Sequence, residues 1–156
     1  MSALRENNLA ALHFKRIDES NEAAVRSVKL KSGQESFIET VDECLQEANE
    51  HPEWQPVAIY AGDEVVGFAM YGSFGSNKDT WIDRIMIDEK HQGKGYGRTA
   101  MEGLIVRVCE KYGVDTVYVS IIEENNLARR LYESMGFEEM DERDPNGEII
   151  LQKKCS

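Results

Sequence analysis

Glycines at 93, 95 and 97 sit where an apolar stretch ending near Asp88 gives way to a helix-like one, with Lys94 and Arg98 interleaved. Inside a helix each glycine costs roughly 1 kcal/mol against alanine, so three at one helix mouth call for a local reason. The first N–H groups of a helix have no internal partners and face the positive end of its dipole. Without side chains at 93, 95 and 97 an anion can come close to those groups, and the two cations add attraction. The chemistry is that of a phosphate cradle, and the alternative is a tight turn that holds no ligand. Two familiar cradles fail on spacing. A P-loop would follow Gly-Lys with Ser or Thr, whereas here Gly95 and Tyr96 follow Lys94. A dinucleotide fingerprint would place its third glycine where Arg98 stands.

The loop needs a strand before it and a helix behind it. Residues 79–88 read as a strand. Residues 95–112 read as an amphipathic helix with Met101, Leu104, Ile105 and Val108 as its buried stripe and Gly113 as its C-cap. Upstream, 12–18 alternates like a strand. Residues 21–30 suggest a short helix capped by Ser20 or Asn21. Residues 36–50 place Phe37, Val41, Cys44 and Ala48 on one helical face. Residues 54–72 read as a hairpin around Gly62-Asp63. Downstream come a β-branched strand (115–122), a helix (125–137) stopping at Gly136, and a hairpin (138–154) through Asp144-Pro145-Asn146-Gly147. Strands flanking the 95–112 helix should be parallel and joined by a right-handed crossover. The expectation is one α/β domain over residues 1–156. Its sheet is mixed and mostly antiparallel, with a central parallel pair, flanking helices, and a ligand at the carboxyl ends of that pair.

Composition narrows the function. The chain has 156 residues, 41% hydrophobic and 30% charged, with a formal net charge of -11. No apolar run is long enough to span a membrane, and the opening residues show no apolar signal core. Between Ser32 and Asn77 there is no Lys or Arg, while Glu35, Glu39, Asp42, Glu43, Glu47, Glu50, Glu53, Asp63 and Glu64 all fall there. Such a field repels nucleic acid and draws in cations, though most of the Glu35/Glu39/Glu43/Glu47 stripe reads as solvated surface. Cys44, Cys109 and Cys155 are odd in number and far apart, so reduced thiols in a cytoplasmic protein are expected. His13, His51 and His91 are scattered, and no metal is indicated.

The stretch "IDRIMIDEKHQGKGYGRTAM" resembles the strand and Gln/Arg-x-x-Gly-x-Gly loop of the GNAT superfamily of acetyl-CoA-dependent N-acetyltransferases, with Gln92, Gly95 and Gly97 filling the pattern. "NNLARRLYESMGF" resembles that family's second signature through Asn125, Ala128, Leu131, Tyr132, Gly136 and Phe137. The resemblance implies that the cofactor's pyrophosphate sits on the N–H groups of Gly93, Lys94, Gly95, Tyr96, Gly97 and Arg98. The pantetheine arm would run beside Ile85, Met86 and Ile87, with Ile85 and Ile87 pairing its amides. Asn125 and Arg129 lie one helical turn apart and Tyr132 follows at i+7, so the three share a face.

Aminolysis of a thioester requires a deprotonated amine, a stabilised oxyanion and a protonated leaving group. A backbone N–H near Ile85 suits the oxyanion. The family assigns the leaving-group role to the tyrosine matching Tyr132, whose unperturbed pKa of about 10 exceeds a thiol's of about 8.5. Asp83 is the expected base, acting through water or on the neutral amine. Strand alternation sends it to one face with Trp81, Ile85 and Ile87; a structural pair with Arg84 is the alternative.

"GQESFIETVDECL", "VVGFAMYG" and "WIDRIMIDEKHQGKG" together resemble bacterial spermine/spermidine N-acetyltransferases of the Blt type. In polyamine acetyltransferases an acid matching Asp83 lies by the attacking amine; the Blt-type relative has Glu there, so Asp is a shorter arm. The substrate implied is a small cationic amine. Gln34 and Glu39 would wall its channel, and Tyr71 and Trp81 would flank it by cation–π contact. Other amines, such as a protein N-terminus or an aminoglycoside, and a non-catalytic acetyl-CoA sensor are the rival readings. Dimerising relatives imply a homodimer, for which the C-terminal strands are available.

Overall fold

A computed structural model describes residues 12–29 and 40–155. Their elements run in chain order as β1 (Leu12–Arg16), α1 (Glu22–Arg26), α2 (Val41–Glu50), β2 (Trp54–Ala61), β3 (Glu64–Phe74) and β4 (Asp79–Ile87). A 3-10 turn (Glu89–His91) then leads to α3 (Tyr96–Tyr112), β5 (Thr116–Ile121), α4 (Asn126–Ser134), β6 (Glu138–Arg143) and β7 (Ile149–Lys154). The strands make one sheet in the order β1-β2-β3-β4-β5-β7-β6. Every neighbouring pair is antiparallel except β4–β5. This is the mixed sheet with a central parallel pair that the sequence predicts.

Helices cover both faces. On one, α3 lays Met101, Leu104 and Val108 against Val57, Ile59, Ala69, Val117, Val119 and Leu151. Gly103, in the middle of α3, lets Phe14 of β1 come close; a Cβ there would lie 3.0 Å from its ring. On the other face, Val25 of α1 and Val41 and Cys44 of α2 pack with Ala58, Phe68, Met70 and Met86.

The predicted 21–30 helix shrinks to the five residues of α1. Asn21 stands at its start but does not cap it. Its Oδ1 accepts from the Asp18 N–H at 2.9 Å and its Nδ2 donates to the Arg16 carbonyl at 3.0 Å, fastening the preceding turn instead. The second helix begins at Val41, where Thr40 and Glu43 form a reciprocal capping box. Gln34, Glu35, Phe37 and Glu39 lie outside the described residues.

Two expectations are overturned. Strict alternation in β4 fails because its ladder with β3 pairs Met70 with Arg84 and Tyr71 with Ile82, leaving Asp83 as the extra residue of a bulge. Ile82, Ile85 and Ile87 therefore all pack on the α3 side. Trp81 faces the other way, its ring 5.2 Å from that of Tyr118. The cysteines also differ from expectation, since Cys109 and Cys155 form a disulfide and Cys44 is buried outside any disulfide. The pair is 46 residues apart in sequence. Because β7 pairs with β5 and α3 lies over β5, residue 155 nonetheless arrives beside the last turns of α3.

Candidate active site

The parallel β4–β5 ladder registers at a single pair, Trp81 with Tyr118. Beyond it, toward the carboxyl ends, a pocket of about 580 Å³ opens. Its walls are Asp83, Arg84, Ile85 and Ile87 of β4, Gly97 in the first turn of α3, and Ser120 and Ile121 of β5. Asn125, Leu127, Ala128, Arg130, Leu131 and Tyr132 line it from α4 and its cap, and Glu148 from just before β7. This is the crevice at the end of a parallel pair where open α/β sheets take ligands.

The glycine loop leads into this pocket. Gly93 and Gly95 have φ of 83° and 82°, a left-handed conformation that favours glycine. Gly95 is the N-cap of α3 and supplies no side-chain hydrogen bond to the helix's first N–H groups. A Cβ added at 93, 95 or 97 would meet nothing within 4 Å. At Gly97, whose φ is ordinary, neither packing nor backbone strain demands glycine, so the missing side chain leaves space in front of the helix start. The first N–H groups of a helix, set beside open space, are of the kind that can take an anion. The Gln92 amide donates to the Ile87 carbonyl at 2.9 Å, fixing the loop to the end of β4. Lys94 is exposed. Arg98 reaches across to Ser134 Oγ at 2.5 Å, tying α3 to the far end of α4.

Asn125 caps α4, its Oδ1 accepting from the Ala128 N–H at 3.2 Å. Tyr132, half-buried two turns on, packs against Phe137 with ring centroids 5.5 Å apart. Burial pushes its phenol up to about 12, with the nearby positive charge of Arg84 opposing the shift. Asp83 lines the same pocket from β4, its Oδ1 3.4 Å from Arg84 Nη1.

The pocket thus gathers Asp83, Ile85, Ile87, Gly97, Asn125 and Tyr132 from among the residues singled out by sequence. Others fall elsewhere. Arg129 turns away to an ion pair with Glu139 at 2.6 Å, and Arg130 takes the place on the pocket wall. The Met86 side chain is buried on the α1–α2 face. Tyr96 packs near His91, ring centroids 6.3 Å apart. Tyr71 is a core residue whose hydroxyl accepts from Arg107 Nε at 3.0 Å. Since it packs on the α3 side and Trp81 on the other, the two cannot flank one amine. Ser120, Leu127, Arg130 and Glu148 were not anticipated, whereas Arg84 was expected only as the alternative, a structural partner of Asp83, and the structure does pair the two. The assumption of alternation hid that Arg84 lines the same pocket as Asp83, and nothing in the local sequence marks Glu148. Among the described residues no group of three or more His, Cys, Asp or Glu is placed to hold a metal ion.

Comparison with known proteins agrees with this geometry. Residues 22–137 match the model of the acetyltransferase (GNAT) family. The chain is 37% identical over 150 residues to a spermine/spermidine N(1)-acetyltransferase of Bacillus subtilis, covering 92% of this chain and 99% of the relative. It is 30% identical over 95 residues to the ribosomal protein bS18-alanine N-acetyltransferase of Haemophilus influenzae, covering 61% and 62% of the two chains. Among solved structures, spermidine N-acetyltransferase from Vibrio cholerae, in complex with CoA and spermine, superposes with a TM-score of 0.70 at 18% identity, covering 90% of this chain and 92% of that one. The chain belongs to the GNAT acetyltransferase family, whose members use an acyl-CoA.

Proposed function

We propose that this protein is a polyamine N-acetyltransferase that moves the acetyl group of acetyl-CoA to a primary amine of spermidine or spermine by direct attack in a ternary complex. The observation that carries the reading is the β4–β5 pocket, whose lining brings together Asp83, Ile85, Tyr132 and Gly97 from the first turn of α3. The similarity to the B. subtilis enzyme over nearly all of both chains supports the choice of amine.

In this reading the N–H groups of Gly93 through Arg98 hold the diphosphate, and the β4 edge aligns the acyl arm. The Ile85 N–H polarises the thioester carbonyl. Asp83 accepts the amine's proton, directly or through water. Tyr132 stays protonated at neutral pH. A phenol at about 12 gives up its proton less readily than a thiol, so it serves the departing thiolate first as a hydrogen-bond donor. Gln34 and Glu39 remain candidates for the substrate wall, and Glu148 offers a carboxylate in the pocket lining. We set the reaction in one domain, without a metal, in a homodimer if the C-terminal strands pair, and in the cytoplasm, although the Cys109–Cys155 disulfide removes the reduced-thiol argument for that compartment. No helix among the described residues is long and apolar enough to cross a membrane.

A thiol-release assay with acetyl-CoA and a panel of spermidine, spermine, a peptide N-terminus and an aminoglycoside tests the reading. Turnover confined to polyamines is expected. The resemblance to the H. influenzae enzyme favours a protein N-terminus as the second reading, and turnover of the peptide alone would establish it. Tight acetyl-CoA binding without turnover of any amine would mean a sensor.

A further inference from the structure

Arg84 is a cation in a pocket that, on the reading above, receives a cationic amine. Like charges in so small a space repel, so its presence needs a use. Its side chain is 11% exposed and that of Asp83 17%. Arg84 Nη1 donates to the Asp83 carbonyl oxygen at 2.8 Å and lies 3.4 Å from Asp83 Oδ1. One guanidinium therefore holds its neighbour by both backbone and side chain. Adjacent residues of a regular strand point to opposite faces. The bulge at Asp83 changes that, and residues 83, 84 and 85 all line the cavity. The Arg84 charge reaches further groups as well. It opposes the upward shift that burial imposes on Tyr132. It also adds to the lowering of Glu43, which comes chiefly from hydrogen bonds with Thr40. The cation is thus set among acids and a phenol and does not confront the substrate alone.

We propose that Arg84 is a positioning residue for acetyl transfer, gripping Asp83 so that the bulged strand keeps this carboxylate aimed at the amine. The proposal rests on the reading of Asp83 as proton acceptor in a polyamine acetyltransferase. The arrangement is intolerant of drift, because a misplacement of about 1 Å in a reacting constellation can cost about a hundredfold in rate.

The test is a double-mutant cycle with spermidine and acetyl-CoA, using Arg84→Met, Arg84→Lys, Asp83→Asn and the doubles, with coenzyme A binding by calorimetry as the check on fold. Arg84→Met should lower kcat by about tenfold to a hundredfold while the KM for acetyl-CoA stays within about twofold. Arg84→Lys should recover part of that loss, since it restores the charge without the planar fork. In the Asp83→Asn background Arg84→Met should cost nothing more, because the pair acts as one unit. Should Arg84→Met fail to fold, Arg84→Lys carries the same cycle. Losses that simply multiply would overturn the proposal while leaving Asp83 in its role, and so would a raised acetyl-CoA KM with unchanged kcat. A wild-type rate in Asp83→Asn would instead remove the functional reading of Asp83, and the proposal with it.

Discussion

At its carboxyl end α3 is closed off. Gly113 turns the chain at φ 63° and returns its N–H to the Cys109 carbonyl, Lys78 Nζ donates to the Tyr112 carbonyl at 3.3 Å, and Cys109 is bonded to Cys155. The amino end of the same helix has none of this. Gly95 offers it no side-chain cap, and the space in front of Gly97 is open. A helix leaves unsatisfied backbone groups at both ends, and on the proposed reading the cofactor's diphosphate completes the second. The closed end should govern stability and the open end ligand affinity. Separating those two quantities by mutation is how the comparison can be broken.

The largest effect expected is on the closed end. Opening a loop of 46 residues by reduction or by Cys155→Ser should cost about 2–4 kcal/mol of unfolding free energy. Denaturant melts with and without reductant would measure it, and coenzyme A affinity measured on the folded protein should stay the same. A variant that lost affinity as well as stability would show that the two ends are coupled.

At the open end, Gly97→Glu places a side chain and a negative charge where the diphosphate would rest. Each charge-assisted hydrogen bond lost is worth about 1.5–3 kcal/mol, so acetyl-CoA should bind roughly a hundredfold more weakly. The melting curve should barely move, because an added Cβ meets nothing within 4 Å, φ is unstrained there, and the longer side chain can extend into the open pocket. Gly95→Ala is a poorer probe, since its φ of 82° would strain any other residue. Unchanged affinity in Gly97→Glu would end the claim that this helix start holds the cofactor.

Tyr112 at the closed end and Tyr132 in the pocket are both pushed up to about 12 by burial, yet only Tyr132 should matter to turnover. Tyr132→Phe should reduce kcat by about a hundredfold with acetyl-CoA affinity retained, whereas Tyr112→Phe should leave kcat alone. The pH dependence has a definite sign. Both phenols ionise at lower pH in the unfolded chain than in the native one, so the native state holds more protons above pH of about 10. Their contribution to stability is fully present below that pH and is lost as pH rises through about 12. Each Phe variant should therefore lose less stability over that interval than wild type. Tyrosinate absorbance followed alongside denaturation would check it.

What the sequence discloses follows the range of the forces involved. Strand and helix order was legible because alternation and the 3.6-residue period are local, as in β5 and in the Met101/Leu104/Val108 stripe of α3. The open helix start was legible because three glycines stand together. The bulge at Asp83 was not, since it exists only in register with Met70 and Tyr71 of β3. Trp81 was misplaced for the same reason, and Arg84, expected at most as a structural partner of Asp83, was not expected to line the pocket. The Cys109–Cys155 bond depends on β7 returning beside β5, a matter of topology that spacing cannot express. Arg129 was grouped with Asn125 and Tyr132 from helical angle alone, without the competing pull of Glu139 on β6. One feature was within reach and was passed over: Thr40-Val41-Asp42-Glu43 is a capping box in plain sequence.

That capping box supplies the smallest of the expected effects and a control for the open helix. At the start of α2 the Thr40 hydroxyl accepts from the Glu43 N–H at 3.2 Å, and Glu43 Oε1 accepts from the Thr40 N–H at 3.0 Å. The same physical need that α3 leaves unmet is here met within the chain. The Thr40 hydroxyl also donates to Glu43 Oε1 at 3.0 Å, so Thr40→Ala removes both bonds of the hydroxyl, leaves the one from the Thr40 N–H, and should cost about 1 kcal/mol of stability. It should have no effect on acetyl-CoA affinity, because α2 packs on the sheet face opposite α3. Measured beside Gly97→Glu, it gives the opposite result in both assays: stability lost and affinity kept, against affinity lost and stability kept. If Thr40→Ala weakened cofactor binding as much as Gly97→Glu does, the bareness of α3 would carry no functional meaning, since disturbing a satisfied helix start on the far face would have done the same.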